Sequence, residues 1–250
     1  MQTELRATKL VKSFHGVRVL DELSIALSPS KITAIIGPNG AGKTTFIDAL
    51  TGFLLVDEGK CFLGRTEITE LRPEQIAKLG VARTFQDVRL VWQETVLENV
   101  MVGVRSPMEQ LSRALGAIGA KEEHERIRAR AIEALNTVEL QSYEQVPATS
   151  LSYGQQKLLA LARCIATNSG WIILDEPVSG VALPLVESLI SMIRRLSTEG
   201  RSVVFIEHDI QAVRALADVV VVLDQGRVVI SGPTNDVLER SDLLEAYLGR

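Results

Sequence analysis

The chain has 250 residues, of which 46% are apolar, 23% charged and 4% aromatic, and its net charge is −4. That is ample for a buried core and ordinary for a soluble α/β protein. It gives no basic footprint for nucleic acid, no apolar leader in MQTELRATKL, and no apolar run approaching the ~20 residues of a membrane helix.

Residues 4–27 alternate between apolar and polar around a turn at Ser13–Gly16, which predicts an N-terminal antiparallel hairpin. KITAII (Lys31–Ile36) reads as a buried strand. A glycine-rich turn and the helical KTTFIDAL follow, and strand, turn and helix open an α/β unit. GKCFLG is a further short strand, Pro73–Lys78 a short helix with proline in its first turn, and GVARTF a strand. From about Thr95 to Leu140 the pattern is helical. In KEEHERIRARAIEAL, mixed charges form one solvated face, and Ile127, Ala131, Ile132 and Leu135 occupy the other. SYEQVPATS is a linker. Strand and helix alternate again from Trp171: WIILD, helix Leu183–Ser197, SVVFIE, helix Ile210–Ala217, VVVVLD, a QGRVVISG hairpin and the helix TNDVLER. No repeat of fixed period is visible. The expected organisation is one α/β core over residues 1–87 and 151–250, interrupted by a helical insert over 88–150, with the later strands joining the first in one sheet. Cys61 and Cys164 read as small apolar packing residues of a reduced compartment.

GPNGAGKT, Gly37–Thr44, matches the G-x-x-x-x-G-K-[ST] phosphate loop and sits between a strand and a helix, as that motif requires. Gly37, Gly40 and Gly42 let successive backbone N–H groups converge on an anion at the positive end of a helix. Lys43 adds charge at the β- and γ-phosphates, and the Thr44 hydroxyl is suited to Mg²⁺. WIILDEP delivers Asp175 at the C-terminal end of a buried strand, where ligands bind in doubly wound sheets. Asp175 suits the Mg²⁺ shell, and Glu176 an attacking water. His208, after FIE, and Gln86, after GVARTF, stand at comparable strand ends. The first is able to touch a γ-phosphate or the water, the second to ligate Mg²⁺ or the water.

Assembled in this order, the chain closely resembles the nucleotide-binding subunits of ABC transporters over essentially its whole length. The resemblance rests on the phosphate loop Gly37–Thr45, the glutamine loop at Gln86, LSYGQQ (Leu151–Gln156), ILDEP and the switch histidine His208. It implies a P-loop NTPase core of ABC type with an N-terminal antiparallel β-subdomain and an inserted α-helical subdomain. It implies ATP and Mg²⁺, with Pro38, Asn39, Ala41 and Thr45 completing the phosphate loop, Phe14 stacking on adenine, and Glu176, Gln86 and His208 acting in hydrolysis. It also explains LSYGQQ. Two subunits of this family pack head to tail, and Ser152, Gly154, Gln155 and the following helix N-terminus of one face the γ-phosphate held by the other. A serine hydroxyl, free N–H groups and a helix N-terminus form a second anion clamp. Ser152 is also the local helix cap.

Within the family, GVARTFQDVRL, LSYGQQ, IEHD and the terminal AYLG resemble the ATPase subunits of branched-chain amino acid importers. Tyr153, in place of the more usual glycine, is similar to that branch. The resemblance implies a peripheral subunit at the cytoplasmic face of the inner membrane. Its partners would be permease subunits, a second ATPase subunit (the same chain or a sister chain), and indirectly a solute-binding protein, with no nucleic acid. Related urea, amide and lipopolysaccharide transport ATPases and soluble ABC ATPases are the alternatives. Val91 and Trp92, in the apolar DVRLVWQ, are expected to line the groove that receives a cytoplasmic helix of the permease, or else to pack the helical insert. One departure stands out. SGVALP places Ala182 where the family carries Asp or Asn, removing a hydrogen bond across the dimer worth ~1 kcal/mol of coupling.

Overall fold

A computed structural model describes residues 3–104 and 109–240; the terminal AYLG falls outside them. The chain divides into two units. The first takes the chain up to Arg83, Gly170–Ser179 and the chain from Ile193; the second takes Thr84–Ser169 and Gly180–Met192.

In the first unit, β1 (Leu5–Phe14) and β2 (Val17–Leu27) form the expected hairpin, pairing Leu5 with Leu27 and Phe14 with Val17. β4 (Glu58–Leu63) pairs antiparallel with the free edge of β1, and β5 (Thr66–Glu67) pairs with β4, completing a four-stranded sheet. β5 is too short to leave a periodic signal in the sequence.

The second sheet explains the continuous apolar strands. β3 (Ile32–Ile36) is buried along its whole length because it runs parallel between β8 (Ser202–Ile206) and β9 (Val219–Asp224). β7 (Trp171–Asp175) lies parallel on β8, β6 (Val81–Arg83) parallel on β7, and β10 (Arg227–Pro233) antiparallel on β9. The order is β10-β9-β3-β8-β7-β6, so the strands after residue 170 do join the early ones in one sheet. GVARTF leaves the ladder after Arg83, earlier than its composition suggests. α1 (Lys43–Leu50) buries Phe46, Ile47 and Leu50 in a core shared with Leu5, Leu10 and Leu20 of one sheet and Ile35, Ile173 and Val204 of the other. α2 (Pro73–Lys78) spans the expected residues.

In the second unit, the helical stretch is two helices, α3 (Val96–Met101) and α4 (Glu109–Thr137). α3 opens on a capping box, with Thr95 accepting from the Glu98 N–H and Glu98 accepting from the Thr95 N–H. Ala131 and Leu135 of α4 and Val138 just after it are buried, as are Leu158, Leu159 and Ala162 of α5 (Tyr153–Ala166). The linker before α5 is held in place rather than loose, with Val96 and Leu97 donating to the Val146 and Glu144 carbonyls. α6 (Leu183–Thr198) starts in this unit and ends in the other; α7 (Ile210–Leu216) and α8 (Thr234–Leu238) belong to the first. Both cysteines are buried and free, one in β4 and one in α5, and burial pushes each thiol up to about 12.

Candidate phosphate-binding site

The loop between β3 and α1 holds Gly37, Gly40 and Gly42 at φ 149°, 82° and 94°, a region costly for side-chain-bearing residues. Two of these glycines are also sterically required. A Cβ on Gly37 would lie 2.0 Å from the Leu223 carbonyl oxygen, and one on Gly42 would lie 2.7 Å from that of Val19. Gly42 is the N-cap of α1 and contributes no side-chain acceptor, so the first N–H groups of α1 have no capping side chain. The Lys43 ammonium donates to the Gly37 and Pro38 carbonyls, each at 2.8 Å. Burial lowers the Lys43 pKa, opposed by the nearby carboxylates of Glu176 and Asp175. A partly desolvated cation on a glycine cradle at a helix N-terminus fits a polyphosphate, which returns more charge to Lys43 than two carbonyls do.

The C-terminal edge of the same sheet supplies the other groups. Asp175 ends β7 with its side chain 6% exposed, and Glu176 follows at φ 47°, a left-handed conformation costing about 1 kcal/mol or more for a residue with a Cβ. The Glu176 N–H donates to the Ile206 carbonyl at 3.0 Å. His208, two residues past β8, places Nδ1 3.8 Å from Glu176 Oε1. Phe14 sits at the end of β1, 41% exposed, with the Lys12 ammonium 5.6 Å from its ring centroid. The first unit thus gathers Gly37–Thr45, Asp175, Glu176 and His208 at one sheet edge and leaves the Phe14 ring accessible.

The donor set suits Mg²⁺. It offers the Thr44 hydroxyl and the Asp175 carboxylate, both oxygen donors of the type a hard cation takes. Mg²⁺ takes one or two protein oxygens and completes its shell with phosphate oxygens and water.

Two residues were not marked by motif reading. Arg83 ends β6 with its side chain 5% exposed; it pairs with Asp48, donates to Thr51 Oγ1 at 3.1 Å and reaches Asp175 Oδ2 at 3.3 Å. Burial raises the Asp175 pKa, and Arg83 opposes that shift. A charge closing a buried strand is the signal that would have found Arg83, since it demands a partner. Glu207, after the five buried residues of β8, carries the same signal.

In the second unit, Ser152 caps α5. Its Oγ accepts from the Gln155 N–H at 3.4 Å, and the Gln155 side chain accepts from the Ser152 N–H at 2.9 Å. Gly154 has a packing reason of its own, because a Cβ there would meet Leu185 Cδ2 of α6 at 2.5 Å. The Tyr153 ring is 47% exposed and lies against Gly180, whose absent Cβ would come within 3.0 Å of it. Gln86 is exposed in the segment after β6. Leu90 is buried, whereas Val91 and Trp92 are 39% and 40% exposed. Asn99, fully buried, holds that segment by accepting from the Val91 N–H and donating to its carbonyl, both at 2.9 Å.

A family model described as ABC transporter matches residues 20–179. The chain belongs to the ABC transporter family. The probable branched-chain amino acid transport ATP-binding protein LivG of Archaeoglobus fulgidus is 35% identical over 98% of this chain and 95% of its own length. The high-affinity branched-chain amino acid transport ATP-binding protein LivG of Escherichia coli K12 is 32% identical, covering 99% and 98%. Among solved structures of this family, the ADP conformation of an ATP-binding cassette of an ABC transporter superposes with a TM-score of 0.85 at 32% identity, over 100% of both chains. Among the described residues of this family member, no helix is long and apolar enough to cross a membrane.

Proposed function

We propose that the chain is the ATP-hydrolysing motor subunit of a bacterial importer for branched-chain amino acids or related small polar solutes. The observation that carries this reading is the single sheet edge joining a glycine cradle, a partly desolvated Lys43 and the Asp175–Glu176–His208 group. The solute class comes from the names of the relatives, because no residue of an ATPase subunit touches the cargo.

In this reading the loop from Gly37 to Thr45, including Pro38, Asn39 and Ala41, wraps the phosphates of ATP, and Phe14 stacks on the base. Lys43 leaves the Gly37 and Pro38 carbonyls for the phosphates. Thr44 and Asp175 would hold Mg²⁺, which would supply charge neutralisation of the phosphate oxygens, and the Gln86 amide oxygen is a further donor of the type it takes. Glu176 accepts the proton of the attacking water, and His208, next to it, orients that water and the γ-phosphate. Ser152, Gly154 and the start of α5 complete the site of a second ATPase subunit. The Gln155 side chain supports this indirectly, through its bond to the Ser152 N–H. Val91 and Trp92 receive the permease at the cytoplasmic face of the membrane.

The test is the size of purified Glu176→Gln with and without ATP and Mg²⁺. The general base is removed while its hydrogen-bonding shape is kept. An ATP-dependent dimer is expected. Failure to bind ATP at all would refute the site. A nucleotide-bound monomer would replace the homodimer with a sister-chain heterodimer.

A further inference from the structure

Glu207 lies between β8 and His208, and its side chain is 1% exposed. A carboxylate buried this deeply needs a partner for each oxygen. Here the backbone supplies them. The Val178 N–H donates to Oε1 at 3.0 Å, and the His208 N–H donates to Oε2 at 3.1 Å. The two oxygens therefore serve two different turns. Val178 belongs to the turn that carries Glu176, and His208 to the turn after β8.

The Glu176 turn needs such support. Glu176 sits at φ 47°, a conformation that persists only where the surroundings impose it. Upstream it is held by its N–H on the Ile206 carbonyl at 3.0 Å; downstream, the Ser179 N–H closes the turn on the Glu176 carbonyl at 3.3 Å. Between these, the Val178 bond to Glu207 attaches the turn to the neighbouring strand end.

We propose that Glu207 is a positioning residue, whose buried carboxylate ties the Glu176 turn to the His208 turn and so sets the 3.8 Å approach of the His208 imidazole to the Glu176 carboxylate. This rests on the roles proposed above for Glu176 and His208, through which Glu207 acts. Only a carboxylate does this. A glutamine offers one acceptor and one NH₂, and the NH₂ would face either the Val178 or the His208 N–H, donor against donor, releasing one turn. An aspartate keeps both oxygens but withdraws them by a methylene.

The experiment is steady-state ATP hydrolysis and nucleotide affinity of the full chain for Glu207→Gln, Glu207→Asp, Glu176→Gln, His208→Ala and the double variant Glu207→Gln/His208→Ala. Alongside it, hydrogen exchange is followed at the Val178 and His208 amides. Glu207→Gln is expected to lower kcat about ten-fold, because a catalytic group is misplaced while the phosphate loop is intact, with KM and nucleotide affinity within about two-fold. In the His208→Ala background the same change should cost little more if the freed amide is that of His208, and close to its full cost if it is that of Val178, which displaces Glu176 as well. Exchange at one or both amides should speed up by about ten-fold or more, with the β3 amides unaffected. Glu207→Asp should fall between the parent and Glu207→Gln, and it decides the matter by the same comparisons if Glu207→Gln does not fold. Parental kcat in Glu207→Gln, or an undiminished loss in the His208→Ala background with the Val178 amide still protected, overturns the proposal. Parental turnover in both Glu176→Gln and His208→Ala overturns the site reading itself and takes this proposal with it.

Discussion

Replacing Arg83 by methionine removes the cation behind the phosphate loop while keeping much of its volume. Its guanidinium stands 3.3 Å from Asp175 Oδ2, and both side chains are almost completely buried. At an effective dielectric constant of about 20, that separation corresponds to roughly 5 kcal/mol of attraction. Part of it is offset, because the variant no longer desolvates a guanidinium. The pair with Asp48 adds less, since that carboxylate is a third exposed. Removing one partner of a buried pair then costs ~3 kcal/mol, or a fall of roughly 6–12 °C in Tm for a domain of this size. The pH dependence gives a sharper test. Burial already raises the Asp175 pKa, and Arg83 holds it back. Without Arg83 the folded pKa rises further above the unfolded one. A raised carboxylate pKa penalises the fold fully at pH above the folded value, and the penalty vanishes as pH falls below the unfolded value. The deficit of Arg83→Met relative to the parent should therefore be larger at pH 8 than at pH 5 in urea unfolding. Asp175→Asn, which removes the stranded charge, should recover much of it in the double variant. An unchanged Tm, or a deficit that neither acid nor Asp175→Asn reduces, would refute the reasoning.

Ala182 precedes α6, and its carbonyl accepts from the Leu185 and Val186 N–H groups at 2.9 and 3.2 Å, so it is the helix cap without a capping side chain. Ala182→Asp should stabilise the chain by ~1 kcal/mol, seen as a rise of roughly 2–4 °C in Tm, and should also raise ATP turnover. A rise in Tm without a rise in turnover would leave only the cap. Trp92→Ala should leave the chain folded at a cost of about 1–2 kcal/mol, a fall of roughly 2–8 °C in Tm, because Trp92 is 40% exposed and only part of its ring surface is buried. In the assembled transporter it should lower transport while ATP binding persists. A large loss of stability would assign Trp92 to packing instead.

Much of the site is legible in the sequence because its chemistry is local. A phosphate loop is one short segment whose glycines, lysine and threonine act together, and Asp175–Glu176 is a strand end followed by its neighbour. The residues that support the site were harder to read. Arg83 and Glu207 are charges that close short apolar strands, and partners that justify their burial come from distant segments: Asp48 and Asp175 for one, Val178, beside the neighbouring His208, for the other. Glycine shows the same division. Gly37 and Gly42 are marked by their motif, but the Leu223 and Val19 carbonyls that forbid a Cβ there belong to other strands. Gly154 reads as access for a phosphate, and the fold adds Leu185 of α6 as a second reason.

By itself the sequence determined the strands with continuous apolar runs, the major helices, the phosphate loop and the family, because periodicity and motif spacing are properties of neighbouring residues. Tertiary structure alone decided the strand order that sets β8 between β3 and β7 and the left-handed pose of Glu176. It also decided the burial of Glu207 and the exposure of Trp92 beside a buried Leu90. These depend on which distant groups share hydrogen bonds and van der Waals space, and such partners leave no period along the chain.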